Sequence, residues 1–187
     1  MNALLDLSDR VGAGLNSISG AVLGTLGRLV FAATLLMYFW TSALTKTGDG
    51  FLGVFQVTVG GFGQIFPKQA EAVLWSVSDM TGFQTLVVLA GTWAELILPA
   101  LIVIGLFTRL AALGMIGFVV VQSLTDILGH GAEAGSWFDR ASDAVIADQR
   151  AFWIFLLLAL VMKGPGPFSV DRLIRSGPSA HPASQPQ

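Results

Sequence analysis

The stretch from Gly82 to Gly129 constrains this chain more than any other, because it is nearly pure hydrocarbon and carries only three ionisable side chains. It reads GFQTLVVLAGTWAELILPALIVIGLFTRLAALGMIGFVVVQSLTDILG. A bilayer core of about 30 Å takes roughly 20 apolar residues to cross, so the segment supplies two spans that turn at Phe107-Thr108-Arg109. Glu95 then falls near the middle of the first of these spans, and Asp126 toward the far end of the second. A carboxylate at such depth is costly, and its default reading is a functional or pairing role.

Two further spans complete the pattern. The first span of the chain covers residues 18–44, followed by 82–107, 110–129 and 146–163, the last built on FWIFLLLALVM and carrying Asp148 and Arg150 at its outer end. Composition agrees with a lipid setting: 53% of the 187 residues are hydrophobic and 12% charged, against about 25% charged in a soluble domain. Mean hydropathy is +0.72. The fold class expected is all-α, a polytopic four-helix transmembrane bundle forming one domain over residues 1–175, with a disordered Pro- and Ser-rich tail over residues 176–187.

Composition also excludes several chemistries. The chain has no cysteine, which rules out thiol–disulfide catalysis, thiolate-held iron–sulfur clusters and Cys-type zinc sites in this chain. A formal charge of −2 with no basic run argues against nucleic acid as a partner. The opening MNALLDLSDR lacks the basic character of a signal peptide, so the first span is expected to stay in place. Bases divide five to four between the two sides: Arg10, Arg109, Lys163, Arg172 and Arg175 against Lys46, Lys68, Arg140 and Arg150. Together with Arg109 in a very short turn, this favours a multi-pass protein of a bacterial-type inner membrane with both termini in the cytoplasm.

The loops on the opposite side are more than linkers. FLGVFQVTVGGFGQIFP is too broken by glycine to span and reads as a re-entrant or interfacial segment. Pro67 opens a short helix with Ala70, Val73, Leu74 and Val77 on one face. Residues 136–147 read as a second amphipathic helix, with Trp137, Phe138, Ala141 and Val145 apolar. Both would act as lids. Trp40, Trp75, Trp137 and Trp153 fall at interfaces as an aromatic belt, while Trp93 sits inside a span.

Two constellations can carry chemistry. Arg28 lies about 15 Å along a span that begins at Ile18, and Glu95 lies at comparable depth in the next. The economical expectation is a buried Arg28–Glu95 ion pair, which either fixes helix register or forms a proton or ligand site. Gln122, Asp126 and His130 are spaced by four and should line one helix face, with Asp148 and Arg150 nearby at the outer mouth. An Asp and a His one turn apart can bind a metal, relay a proton or hydrogen-bond a quinone carbonyl, and they can equally cap a polar helix end. A complete metal site needs further ligands, which only loop acids would supply. With one histidine outside the tail, bis-histidine haem is disfavoured. No set of residues amounts to a recognisable enzyme active site.

GTWAELILPALIVIGLFTRLAALG resembles the signature of the DoxX family: an acid, a proline four residues on, then a Gly-Leu-x-Thr-Arg turn into the next span. The arginine in span one (Arg28), Lys46 at its far end and the closing GPGPFSVDRLI of residues 164–174 are similar to that family as well. The resemblance covers roughly Gly24 to Ile174. It implies a four-helix membrane protein whose relatives include the small membrane subunit of a thiosulfate:quinone oxidoreductase and membrane partners of redox-defence enzymes. Other relatives lie beside enzymes that modify metal-binding peptides, and the acidic 130–150 loop is similar to that group. The expectation is therefore an accessory membrane subunit or anchor for a redox or metal-stress system, more than a stand-alone enzyme, with access to quinone or protons and a protein partner. Metal or metal-peptide handling in an oligomer, and a purely structural scaffold, are the alternatives.

Overall fold

The computed structural model describes residues 2–176 and is all helical, with no strand among those residues. Four helices are long and apolar enough to cross a membrane: Leu4–Leu44, Gly82–Ile104, Thr108–Gly129 and Val145–Lys163. The first is a continuous rod of α1 (Asn2–Phe31), one π-helical turn (Ala32–Leu36) and α2 (Met37–Leu44). The first loop holds α3 (Val59–Ile65) and α4 (Pro67–Ala72), and α5 (Gly82–Ile104) and α6 (Thr108–Leu124) form the central hairpin. The chain closes with α7 (Arg150–Lys163) and the short α8 (Val170–Arg175). In cross-section the rod packs on α5 and α7, and α6 packs on α5 and α7, so the four long elements form a ring.

Local sequence explains each boundary. Thr81 caps α5 in a capping box with Gln84, and Gly105 ends it in the left-handed region at φ 74°. The Leu106 amide returns to the Leu101 carbonyl at 3.0 Å, which closes a Schellman turn. Pro67 occupies the first turn of α4, where a missing N–H costs nothing. The core is one cluster of Phe31, Leu35, Phe39, Ile102, Ala111, Ala112, Met115, Val119, Leu157 and Leu160. Large residues such as Leu86, Ile97, Leu113, Val120, Phe152 and Phe155 point outward, as lipid-facing positions do.

Three features depart from the sequence expectations. Helix begins at Asn2 rather than Ile18. The 41 residues of Leu4–Leu44 span about 60 Å, twice a bilayer core. Gly24 meets Gly164 and Gly166, just beyond the end of α7, so the preceding turns of α1 project past the bundle and expose Leu4, Leu7, Val11, Leu15 and Ile18. Second, residues 136–144 are not helical. Gly135 and Phe138 adopt positive φ, and Asp139 accepts the Ala141 amide at 3.0 Å, a local bond that competes with helix. Third, the lid helix at Pro67 ends at Ala72, and Leu74 and Trp75 turn through positive φ. The tail beyond Ser176 lies outside the described residues.

On the side of the termini, the turn between α5 and α6 is held by Asp171. Its carboxylate accepts the amides of Phe107 at 2.8 Å and Thr108 at 3.0 Å and the Thr108 hydroxyl at 3.0 Å. Burial pushes this carboxyl up, but those hydrogen bonds and the Arg175 charge outweigh it and hold it below its ordinary range. A depressed carboxylate stabilises the fold at pH above its unfolded-chain value of 3.8, and the contribution fades as pH falls below that. Thermal unfolding in detergent should therefore show Asp171→Asn destabilised at neutral pH, with the gap to wild type closing below that value. A second expectation concerns packing: a Cβ on Gly24 would lie 2.5 Å from Gly164 O and Gly166 N, so Gly24→Ala should lose about 1–3 kcal/mol in the same assay.

Candidate functional site

Glu95 does not meet Arg28. The carboxylate is 2% exposed and pairs with Lys46, itself 5% exposed, at 2.8 Å from Nζ to Oε2 and 3.2 Å to Oε1. Lys46 Nζ also donates to the Ser42 carbonyl at 2.9 Å and to Ser42 Oγ at 2.8 Å. Ser42 Oγ in turn donates to Glu95 Oε1 at 3.1 Å. Two residues one helical turn apart at the end of α2 thus wrap one carboxylate of α5, and every strong donor in the group is engaged. Pro99, four residues on from Glu95, has no N–H to return to the Glu95 carbonyl. The adjacent Leu96 carbonyl takes a hydrogen bond from Trp40 Nε1 at 3.1 Å, a further tie between the rod and α5.

Arg28 serves the opposite end. Its Nε donates to Ile102 O at 3.0 Å and its Nη1 to Pro165 O at 3.1 Å. Further bonds run to Val103 O and Phe168 O. The reason for the error in pairing is depth. Counting the span from Ile18 placed Arg28 at mid-membrane, whereas the bundle begins near Gly24. The offset of six residues is about 9 Å, enough to move Arg28 from Glu95 to the end of α5.

Between α5 and α6, on the side of the long loops, lies a cavity of about 450 Å³. Small residues make the space: Ala90, Gly91 and Ala94 on α5 face Gly114 and Gly117 on α6. Ser42, Lys46 and Glu95 line one wall, and Gln122, Asp126 and His130 another. The loop segment α3 closes it through Gln64 and Ile65. That segment is clamped to both walls, since Thr58 Oγ1 donates to Lys46 O at 3.0 Å, Gln64 Nε2 donates to Thr45 Oγ1 at 2.9 Å, and His130 Nε2 lies 2.9 Å from Gln64 O. In a neutral ring the latter contact makes Nε2 the N–H and leaves Nδ1 as an acceptor. The cavity is open rather than sealed: Ala90, Gly114, Gly117 and Val121 line it and are exposed.

The remaining polar residues divide. Gln122, Asp126 and His130 do not form a straight column, because Thr125–Gly129 is a π-helical turn with the His130 amide on Thr125 O. Asp126 turns to Arg150, whose guanidinium is 4% exposed, pairs directly with it and donates to Ser123 Oγ at 2.9 Å. The guanidinium also stands 6.0 Å from the Trp153 ring centre. Gln122 Nε2 donates to the Tyr38 hydroxyl at 3.0 Å, while its Oε1 is buried with no partner among the described residues. Asp148 stays out of the cluster and accepts the Ala144 amide at 3.0 Å, capping its own turn. Sequence reasoning missed Ser42 and Lys46 as partners of Glu95. Their i, i+4 spacing at the end of an apolar run was the available signal.

Among the described residues no group of three or more His, Cys, Asp or Glu side chains is placed to hold a metal ion. What the arrangement offers is an open, largely apolar chamber with Gln122 and an imidazole in its lining and two internally neutralised ion pairs beside it. No protein-family model, curated protein or solved structure matches the chain.

The ion pair generates a direct test. Removing one partner of a buried pair leaves an uncompensated charge, at a cost of about 3–5 kcal/mol. Glu95→Gln and Lys46→Met should each lower the thermal midpoint in detergent, and the double variant should recover most of the loss. An additive double variant, measured by the same cycle, would show that the pair contributes no coupling.

Proposed function

We propose that this protein is an accessory membrane subunit of the DoxX-like kind, which holds a lipophilic quinone in its α5–α6 cavity for a redox partner. The observation that carries the reading is the lateral opening. A chamber with exposed lining at Ala90, Gly114, Gly117 and Val121, on two helices long and apolar enough to cross a membrane, suits a guest that arrives through the bilayer rather than from water. The polar groups suit a ring with oxygen at its ends. Gln122 lines the chamber with an unpartnered Oε1 and would accept from a hydroxyl once its amide turns toward the guest, while His130 at the rim would take up or return a proton on the loop side. The Lys46–Glu95 pair would orient a ring oxygen by its field while its own hydrogen bonds stay closed. A bound quinone would supply two-electron, two-proton chemistry, with the electrons coming from the partner. The resemblance to the DoxX family supports the same assignment, a bacterial-type inner membrane, and termini on the cytoplasmic side where a soluble oxidoreductase or a second subunit would dock.

Metal handling finds less support, since no three potential ligands converge among the described residues. The test uses the space itself. A Cβ on Gly117 would meet nothing within 4 Å, so Gly117→Leu starts without a backbone clash, extends its side chain at the cavity wall and gains roughly 0.5–1 kcal/mol of helix propensity. Extraction and mass spectrometry of protein purified in mild detergent should find quinone with the wild type. At least a tenfold loss is expected in Gly117→Leu, with the thermal midpoint held or raised. Quinone absent from the wild type, or retained equally by the variant, would refute the assignment.

A further inference from the structure

A second cavity, of about 630 Å³, opens at the opposite end of the bundle beside the α5–α6 turn. Four bases from three elements face it: Arg109 at the start of α6, Lys163 at the end of α7, and Arg172 and Arg175 on α8. Its one acid is Asp171, so the lining carries four positive charges against one negative, a net of +3. Both Asp171 oxygens accept from the 107–108 turn, and although the Arg175 charge acts on this carboxylate, none of the four bases hydrogen-bonds to it among the described residues. The bases are barely engaged otherwise. Lys163 Nζ reaches Ser19 Oγ at 3.2 Å, and Arg109 Nη2 reaches Met162 O at a long 3.4 Å. The side chains of Arg172 and Arg175 make no hydrogen bond, and none of the four forms an ion pair, among the described residues.

Four like charges gathered in one recess repel one another unless an anion joins them. The walls indicate which anion. Phe107 and Leu110 line the same recess and are 61% and 69% exposed. Leu113 continues that apolar track one turn further along α6, and Leu173 and Ile174 of α8 are exposed beside it. A phosphate among guanidinium and ammonium groups, with hydrocarbon running away from it along a membrane helix, is the geometry of a phospholipid seated at the headgroup level.

We infer that the recess formed by Arg109, Lys163, Arg172 and Arg175 is a binding site for the phosphate of an anionic membrane lipid. The site is independent of the α5–α6 cavity and of what occupies it.

Native mass spectrometry of the full-length protein in neutral detergent, titrated with phosphatidylglycerol or with phosphatidylcholine, reads the site directly. Phosphatidylglycerol should bind in preference to phosphatidylcholine. At about fivefold per surface base, R172Q/R175Q should weaken phosphatidylglycerol binding about 25-fold, and R109Q/K163Q, which alters the other wall, should do likewise. K68Q/R140Q removes the same charge on the far side of the bundle and should leave binding unchanged. Equal affinity for the two lipids would overturn the inference, as would equal losses in K68Q/R140Q and R172Q/R175Q. Displacement of phosphatidylglycerol by millimolar inorganic phosphate would assign the recess to a free anion instead. Should R172Q/R175Q fail to fold, R109Q/K163Q decides alone.

Discussion

Buried non-helical backbone has to find hydrogen bonds within the protein, and one guanidinium supplies four of them here. Arg28 gathers carbonyls from the end of α5 and from the Gly164–Phe168 connection. Two segments far apart in sequence are thereby fixed to one side chain of the rod. Gly24, one turn earlier, lets the same connection lie against α1. Asp171 extends the knot by capping the 107–108 turn, and its own amide returns to Gly105 O at 2.8 Å. Closing one end in this way leaves the other end of the α5–α6 hairpin free to part, and the cavity occupies that end.

The polar, glycine and proline residues that tie the long helices together fall into two physical groups. Arg28, the Gly-Leu-Phe-Thr-Arg turn and the closing Gly-Pro-Gly-Pro-Phe-Ser-Val-Asp segment interlock at the termini. Glu95, Pro99 and Lys46 belong to the intramembrane pair and its surroundings. The first group builds the frame, and the second sets the polarity of the chamber.

Much of this was legible in the sequence, in proportion to how directly hydropathy reports the feature. The four long apolar segments needed only length and composition. Depth within them did not follow, because a helix that runs on past the bundle hides its own zero point. Arg28 was misplaced by that offset, and Glu95 was given the wrong partner. The Gln122, Asp126 and His130 set was visible as a spacing of four, but the π-helical turn at Thr125–Gly129 inserts a register change that no periodicity announces. It is this turn that sends Asp126 to Arg150 and leaves His130 over Gln64. The 136–144 loop misled for a different reason. Its apolar residues had helical spacing, but Gly135, Phe138 and Asp139 satisfy the backbone locally and end any helix there.

The two ion pairs that flank the α5–α6 cavity have an electrical consequence. Lys46 with Glu95 and Arg150 with Asp126 each sum to zero, so the chamber presents dipoles rather than net charge to whatever enters it. Moving one elementary charge across a membrane at 100 mV involves about 2.3 kcal/mol. A neutral guest in a chamber of balanced charge involves almost none of that work. Occupancy of the cavity would then be the same in an energised and a collapsed membrane, with the concentration of the guest in the lipid as the controlling variable.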